Sequence, residues 1–254
     1  MPANPQTPPI AIDDAAPPDR ALVVTAHPDD VDFGAAGTVA SWVKAGTEVT
    51  YCIATDGDAG GSDLSVSRSE MARLRREEQR AAAAELGVNE VVFLGFPDGR
   101  LSSASELDLR REVSRAVRQF RPQRLLCQSP DRNWARIGAS HPDHLLVGAA
   151  AVCAAYPDAR NPFAHPELLA EGLQPHAVSE LWLMAPPEPN RAVDITQFFD
   201  AKIRALRKHV TQVAHAAGIE ERVRGWVSAS AAAAGMPEGK LAELFQVVAM
   251  PPTS

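Results

Sequence analysis

The stretch Ala21-Leu22-Val23-Val24-Thr25-Ala26-His27-Pro28-Asp29-Asp30 decides how the chain folds. A short apolar run rich in valine reads as a buried strand. The His-Pro-Asp-Asp that closes it is turn chemistry, because proline fixes φ and an aspartate can cap the helix that follows. Apolar residues at helical spacing, Val39 and Val43, then lead to a stop at Gly46. Strand, loop and helix in that order open a βαβ unit.

The same order recurs downstream. Glu48–Ala54 reads as a second strand, and the loop 55–61 (Thr-Asp-Gly-Asp-Ala-Gly-Gly) is built from turn formers. Ser67 and Glu70 form a capping box for a helix through Met71 and Leu74 to Leu86, with Gly87 as its stop. Val88–Leu94 is a third strand, and Ser105 with Asp108 opens a helix reaching Phe120. A fourth strand, Arg124–Gln128, precedes a polar loop to Ser140 and an apolar helix after Pro142. Four alternations predict an α/β, Rossmann-like fold, a mainly parallel sheet with helices on both faces, with ligands bound beyond the carboxyl ends of the strands. Further on, strands are expected at Ala177–Met184 and Ala192–Ile195. A helix is expected from Thr196 through Val210, with two more helical stretches after it.

The 254 residues are 45% hydrophobic and 22% charged, enough for one sizeable core. Prolines at 2, 5, 8, 9, 17 and 18 make residues 1–20 an extended, flexible leader, so the expected organisation is that leader followed by one domain over 21–254. With 25 basic against 32 acidic residues the net charge is −7, the wrong sign for a partner of nucleic acid or anionic lipid. The longest nearly apolar run, 145–155, is shorter than the roughly 20 residues that cross a bilayer. Cys52, Cys127 and Cys153 lie in apolar runs and suggest buried thiols rather than disulfides. A cytoplasmic protein with a small-molecule partner is expected, and a homo-oligomer is left open.

Two similar tetrapeptides stand at predicted strand ends, His27-Pro-Asp-Asp30 and His141-Pro-Asp-His144. Each alone is a turn. Together they bring three imidazoles and three carboxylates to one crevice, the nitrogen and oxygen donors that an ion such as Zn²⁺ selects, and so point to a metal hydrolase.

On these motifs the chain resembles the PIG-L/LmbE family of zinc-dependent N-deacetylases over most of residues 21–250. The resemblance rests on the two tetrapeptides, the Thr55-Asp-Gly loop, Arg75 and Glu78 ahead of Leu86-Gly87, the 94–99 turn Leu-Gly-Phe-Pro-Asp-Gly, and a weaker tail of Lys202, Ala205, His209 and Gln212. It implies removal of acetyl groups from N-acetylglucosamine-type amino sugars or their conjugates. It makes His27, Asp30 and His144 the ligands of Zn²⁺, with Fe²⁺ also suited to the set. Asp29 becomes the general base and His141 the electrophilic or acid partner. Arg75 and Asp98 become contacts to sugar hydroxyls, and His209 lies near the site. Asp143 is suited to orienting a histidine, Asp32 to a supporting acid or a cap, and Trp134 to stacking on a sugar face. His209 and His215, six apart on the expected helix, fall on different faces. The chain departs from some members at Ala139, where they carry a tyrosine. An amidase of a larger acyl or thiol conjugate, and a non-catalytic Rossmann-like sugar- or nucleotide-binding module, are the alternatives that the sequence leaves open.

Overall fold

The structure is a computed structural model that describes residues 9–61, 63–214 and 216–252. Eight strands form one sheet: β1 (Ala11–Ile12), β2 (Arg20–Thr25), β3 (Glu48–Thr55), β4 (Glu90–Phe96), β5 (Arg124–Gln128), β6 (Glu180–Met184), β7 (Arg191–Asp194) and β8 (Ala242–Ala249). Their order is β1-β7-β8-β6-β5-β2-β3-β4. All neighbours are parallel except β8, which runs antiparallel to both β6 and β7.

The helices are α1 (Asp30–Gly34), α2 (Ala36–Lys44), α3 (Arg68–Glu85), α4 (Glu106–Phe120), α5 (Pro142–Cys153), α6 (Pro166–Ala170), α7 (Phe199–Leu206), α8 (Val210–Val213) and α9 (Ile219–Ala233). Ser67 and Ser105 cap α3 and α4 by accepting from the backbone N–H groups of Glu70 and Asp108. The sheet is buried on both faces because its strand residues alternate between two cores. Ala21, Val23, Tyr51, Ile53 and Leu126 join one; Leu22, Val24, Cys52, Leu125 and Cys127 join the other. Cys52 and Cys127 are buried free thiols.

The chain reverses direction of growth between β2 and β5, with β3 and β4 on one side and β6 on the other. A crevice forms beyond the strands at such a switch point. Gly148 lets α5 approach there: a Cβ on it would run into the Gln128 carbonyl at the end of β5.

Three expectations change. The leader is not free along its length: Ala11–Ile12 pairs with β7, Asp13 accepts from Arg191 at 3.0 Å, and Ile10 packs beside Ala192 and Ala242. Residues 1–8 lie outside the described residues. Removing the chain up to Asp13 is expected to cost about 1–2 kcal/mol and lower the melting temperature by roughly 2–8 °C; an unchanged melt would show that β1 contributes nothing. The helix expected from Thr196 to Val210 is interrupted at Arg207–His209, so His209 sits in the break rather than on a helical face; His215 lies outside the described residues. Finally, β8 comes from a stretch not read as a strand.

Candidate active site

Four loops beyond the strand ends meet at the switch point. Pro28 and Asp29 bridge β2 to α1, the 56–61 loop follows β3, the turn with Asp98 follows β4, and His141 is the N-cap of α5. Gln128 ties two of these ends together, its Oε1 accepting from the Ala26 N–H at 2.9 Å.

His27 Nδ1 lies 3.2 Å from His144 Nε2. The Asp30 carboxylate reaches both, Oδ2 at 3.4 Å from His27 Nδ1 and Oδ1 at 3.0 Å from His144 Nε2. The second nitrogen of each ring fixes its tautomer. His27 Nε2 faces Asp98 Oδ1 at 3.0 Å and Asp143 Oδ2 at 3.4 Å, and His144 Nδ1 faces the Ala139 carbonyl at 3.1 Å. A nitrogen that faces only an acceptor carries the proton. In the neutral rings His27 Nδ1 and His144 Nε2 then turn their lone pairs toward each other beside a carboxylate, an arrangement that protons or a cation between them would relieve. Separations of 3.0–3.4 Å also suit donors sharing one ion at bond lengths of about 2.0–2.2 Å. The residues fit a metal.

Other groupings also fall within ligand reach, His27 with His141 and His144, and His27 with Asp98 and Asp143. In the second, His27 offers an N–H, so Asp98 and Asp143 hold the ring in place. Electrostatics agree with a cationic centre. Burial works against a charge on His27, yet the Asp143, Asp30 and Asp98 carboxylates outweigh it and push its pKa up to about 12. His144 is raised by Asp30 against the same burial, and the two imidazoles hold Asp30 well below the carboxylate range although it too is buried.

Asp29 is held apart from this cluster. Its backbone takes φ +90°, a conformation rare for any residue with a Cβ. Its N–H donates to Gln79 Oε1 at 2.8 Å, and Arg75 Nη2 donates to its Oδ2 at 3.1 Å. Burial raises its pKa to about 6, with Arg75 opposing. A line of buried contacts continues behind it: Gln79 Nε2 donates to Asp32 Oδ2 at 2.9 Å, and His209 Nε2 meets the same oxygen at 2.8 Å. Asp32 is thus a supporting acid rather than a solvated cap. His209 supports the loop through it and is hydrogen-bonded to Asp32 rather than to His27, Asp30 or His144.

Arg75 and Asp98, expected as sugar contacts, are each engaged by protein groups. Arg75 is only 4% exposed and donates to the Gly57 and Pro28 carbonyls as well as to Asp29. A Cβ on Gly57 would collide with its guanidinium, which is why the loop needs glycine there. Asp98 is buried, with Oδ1 on His27 and Oδ2 accepting from Ala59 N–H. Both face protein groups. His141 is exposed at the rim, its Nδ1 accepting from Asp143 N–H at 3.2 Å, which leaves Nε2 as the protonated nitrogen of the neutral ring.

Sequence reasoning missed Gln79, Glu243 and the work of Lys202. Lys202 Nζ is fully buried and donates to the Asp32 and Phe33 carbonyls and to Glu243. Glu243, from β8, accepts from Gly37 and Thr38 N–H and so caps α2, which has no cap of its own. A cleft of about 330 Å³ opens beside Asp30 and His144, walled in part by Phe33, Met184 and Trp226. Trp134, 80% exposed, is outside that lining; the aromatic residues on the wall are Phe33 and Trp226, the latter from α9.

A Rossmann-like sheet carrying a histidine–aspartate cluster fit for one ion, with a further carboxylate alongside, defines a class: hydrolytic enzymes of α/β fold with a candidate metal site. The family described as PIG-L, GlcNAc-PI de-N-acetylase, matches residues 22–155, and the chain belongs to it. It is 33% identical over 193 residues to diacetylchitobiose deacetylase of Thermococcus kodakarensis, covering 76% of this chain and 70% of that one. It is 32% identical over 239 residues to the 1D-myo-inositol 2-acetamido-2-deoxy-alpha-D-glucopyranoside deacetylase of Nakamurella multipartita, covering 77% and 80%. The solved structure of N,N'-diacetylchitobiose deacetylase from Pyrococcus horikoshii superposes with a TM-score of 0.83 at 28% identity, over 91% of this chain and 84% of that one.

Proposed function

We propose that the chain is a zinc-dependent amidohydrolase that removes the acetyl group from an N-acetylglucosamine-type amino sugar or a conjugate of one. The observation that carries this reading is the convergence of His27 Nδ1, His144 Nε2 and the Asp30 carboxylate, with both far ring nitrogens committed to oxygen acceptors. These three residues would hold the metal. Zinc bound there supplies Lewis acidity toward the amide carbonyl and lowers the pKa of water to about 7.

The remaining steps belong to side chains. Asp29 accepts the proton of the attacking water, and Arg75, Gln79 and the strained φ of Asp29 aim its carboxylate. His141 offers Nε2–H to the developing oxyanion or to the departing amine. Asp98 and Asp143 hold the His27 ring by Nε2, so that Nδ1 would be the nitrogen available to a metal. Arg75 and Asp98 are positioning residues in this scheme rather than sugar contacts.

The test is an acyl series on one glucosamine glycoside, acetyl, butyryl and hexanoyl, with zinc-loaded protein and detection of the free amine. The acetyl compound is expected to turn over fastest, with stoichiometric acetate. Faster release of the longer acids would reassign the chain to an amidase of larger acyl groups, and no release from any of them would remove the hydrolase reading.

A further inference from the structure

Residues 134–138, between β5 and α5, are exposed, and among the described residues no hydrogen bond ties them to any element outside their own loop. The loop is held at its neck instead, by two buried residues, Asn133 and Ser140. The Asn133 N–H donates to Ser140 Oγ at 2.8 Å and so closes the neck. Each end then curls back on the loop: Asn133 Oδ1 accepts from the Arg136 N–H at 3.1 Å, and the Ser140 N–H donates to the Ile137 carbonyl at 2.9 Å.

The same asparagine reaches out of the loop. Its Nδ2 donates to the Pro186 carbonyl at 3.0 Å and to the Ala185 carbonyl at 3.4 Å, in the turn between β6 and β7. Ala185 takes φ +49°, a strained conformation for a residue with a Cβ, which persists only where the surroundings hold it. Both ends of the Asn133 amide are therefore committed to backbone groups of two loops, which fixes the side chain and with it the neck.

What the neck positions lies directly beside it. Ala139, the residue before Ser140, aims its carbonyl at His144 Nδ1, 3.1 Å away, and His141, the residue after it, is the N-cap of α5. The two nitrogens of an imidazole are rigidly related, so a partner at Nδ1 sets where Nε2 points. Here Nε2 points to Asp30 Oδ1 at 3.0 Å and His27 Nδ1 at 3.2 Å.

We infer that Asn133 is a positioning residue for the proposed reaction: by closing the neck of the 133–140 loop and fastening it to the β6–β7 turn, it holds the Ala139 carbonyl on His144 and so keeps Nε2 where a metal would bind. The inference rests on the metal reading above.

Two variants test it, each read by competition of zinc with a chelating indicator and by proton NMR of protein carrying ¹⁵N-histidine. Asn133→Asp keeps the side-chain shape and the acceptor for Arg136, and loses the donors to Ala185 and Pro186. The negative charge it adds favours a cation, so a fall in zinc affinity reports the loosened neck. Ser140→Ala deletes one oxygen, the acceptor of the Asn133 N–H; should Asn133→Asp fail to fold, it decides alone. In both, zinc affinity is expected to fall by about 10- to 100-fold, the range for loss of an orienting group outside the ligands. Activity at stoichiometric zinc should fall with it and recover in excess zinc. The His144 Nδ1–H resonance, assigned by its absence from His144→Ala, should exchange with solvent faster than in the native protein. The double variant should lose little more than either single one, because the two residues close one contact. A merely structural role would lower the melting temperature and leave zinc affinity and the ring N–H as in the native protein, and that result would overturn the inference. Zinc affinity reduced in the variants, with no acetate released by any of the proteins, would support the positioning role and sink the deacetylase reading. Equal zinc affinities with normal acetate release would do the reverse, and a native protein that binds no zinc would remove both.

Discussion

Asp29→Asn is expected to retain its metal and lose kcat by about 10²- to 10⁴-fold, the usual contribution of a positioned general base. The expectation comes from how the two adjacent aspartates are divided. Asp30 pairs with His27 and His144, whereas the neighbouring Asp29 carboxylate pairs with Arg75 at 3.1 Å. Asparagine has nearly the same shape, tolerates positive φ, and keeps an oxygen that can accept from Arg75. Fold and metal site should therefore survive while the proton acceptor is lost. Parallel measurement of zinc content and kcat checks this. Normal turnover by the variant would remove Asp29 from the reaction, and loss of zinc with Asp29 rather than with Asp30 would exchange their roles.

His144→Ala should do the opposite. It removes one of two bare imidazole nitrogens, leaving His27 Nδ1 and the Asp30 carboxylate to hold an ion alone. Zinc affinity is expected to drop by more than the 10- to 100-fold that follows loss of an orienting partner outside the ligands, and activity at stoichiometric zinc should fall to background. Asp98→Asn provides the comparison. It weakens only the contact that orients His27 Nε2, so its affinity loss should stay within that 10- to 100-fold range. Competition with a chelating indicator measures all three proteins. A His144→Ala protein that binds zinc as tightly as the native one would contradict the ligand set.

The alternation of strands and helices was legible because each is a local pattern: valine-rich runs, the Ser67 and Ser105 caps, and a turn at each strand end. The two His-Pro-Asp motifs could be placed at neighbouring strand ends for the same reason, since right-handed crossovers leave few alternatives. What stayed hidden depends on partners far away in sequence. The stretch 242–249 becomes β8 by inserting antiparallel between β6 and β7, and Glu243 and Gln246 break the apolar alternation that would have marked it. Glu243 is buried there because Lys202 and the N-terminus of α2 meet it, a coincidence of three elements that no local window contains. β1 is two residues long and exists through pairing with β7.

Direction was the other missing quantity. Arg75 and Asp98 were recognisable as members of the site, but composition does not say whether a side chain faces the cleft or the loop behind it, and both face protein groups. Trp226 was hidden differently. It belongs to a helix whose buried residues, Val223 and Val227, flank it, while Trp226 itself is left on the cleft wall.

In the proposed reaction one ion, held where His27, Asp30 and His144 meet, is required for hydrolysis of an acetamido group. The decisive measurement is titration of metal-free protein with zinc while acetate release from an N-acetylglucosamine glycoside is followed. Activity is expected to rise linearly from background and to break at one equivalent per chain. Full turnover before any zinc is added and in the presence of chelator, or acetate release that never appears at any ratio of zinc, would contradict it.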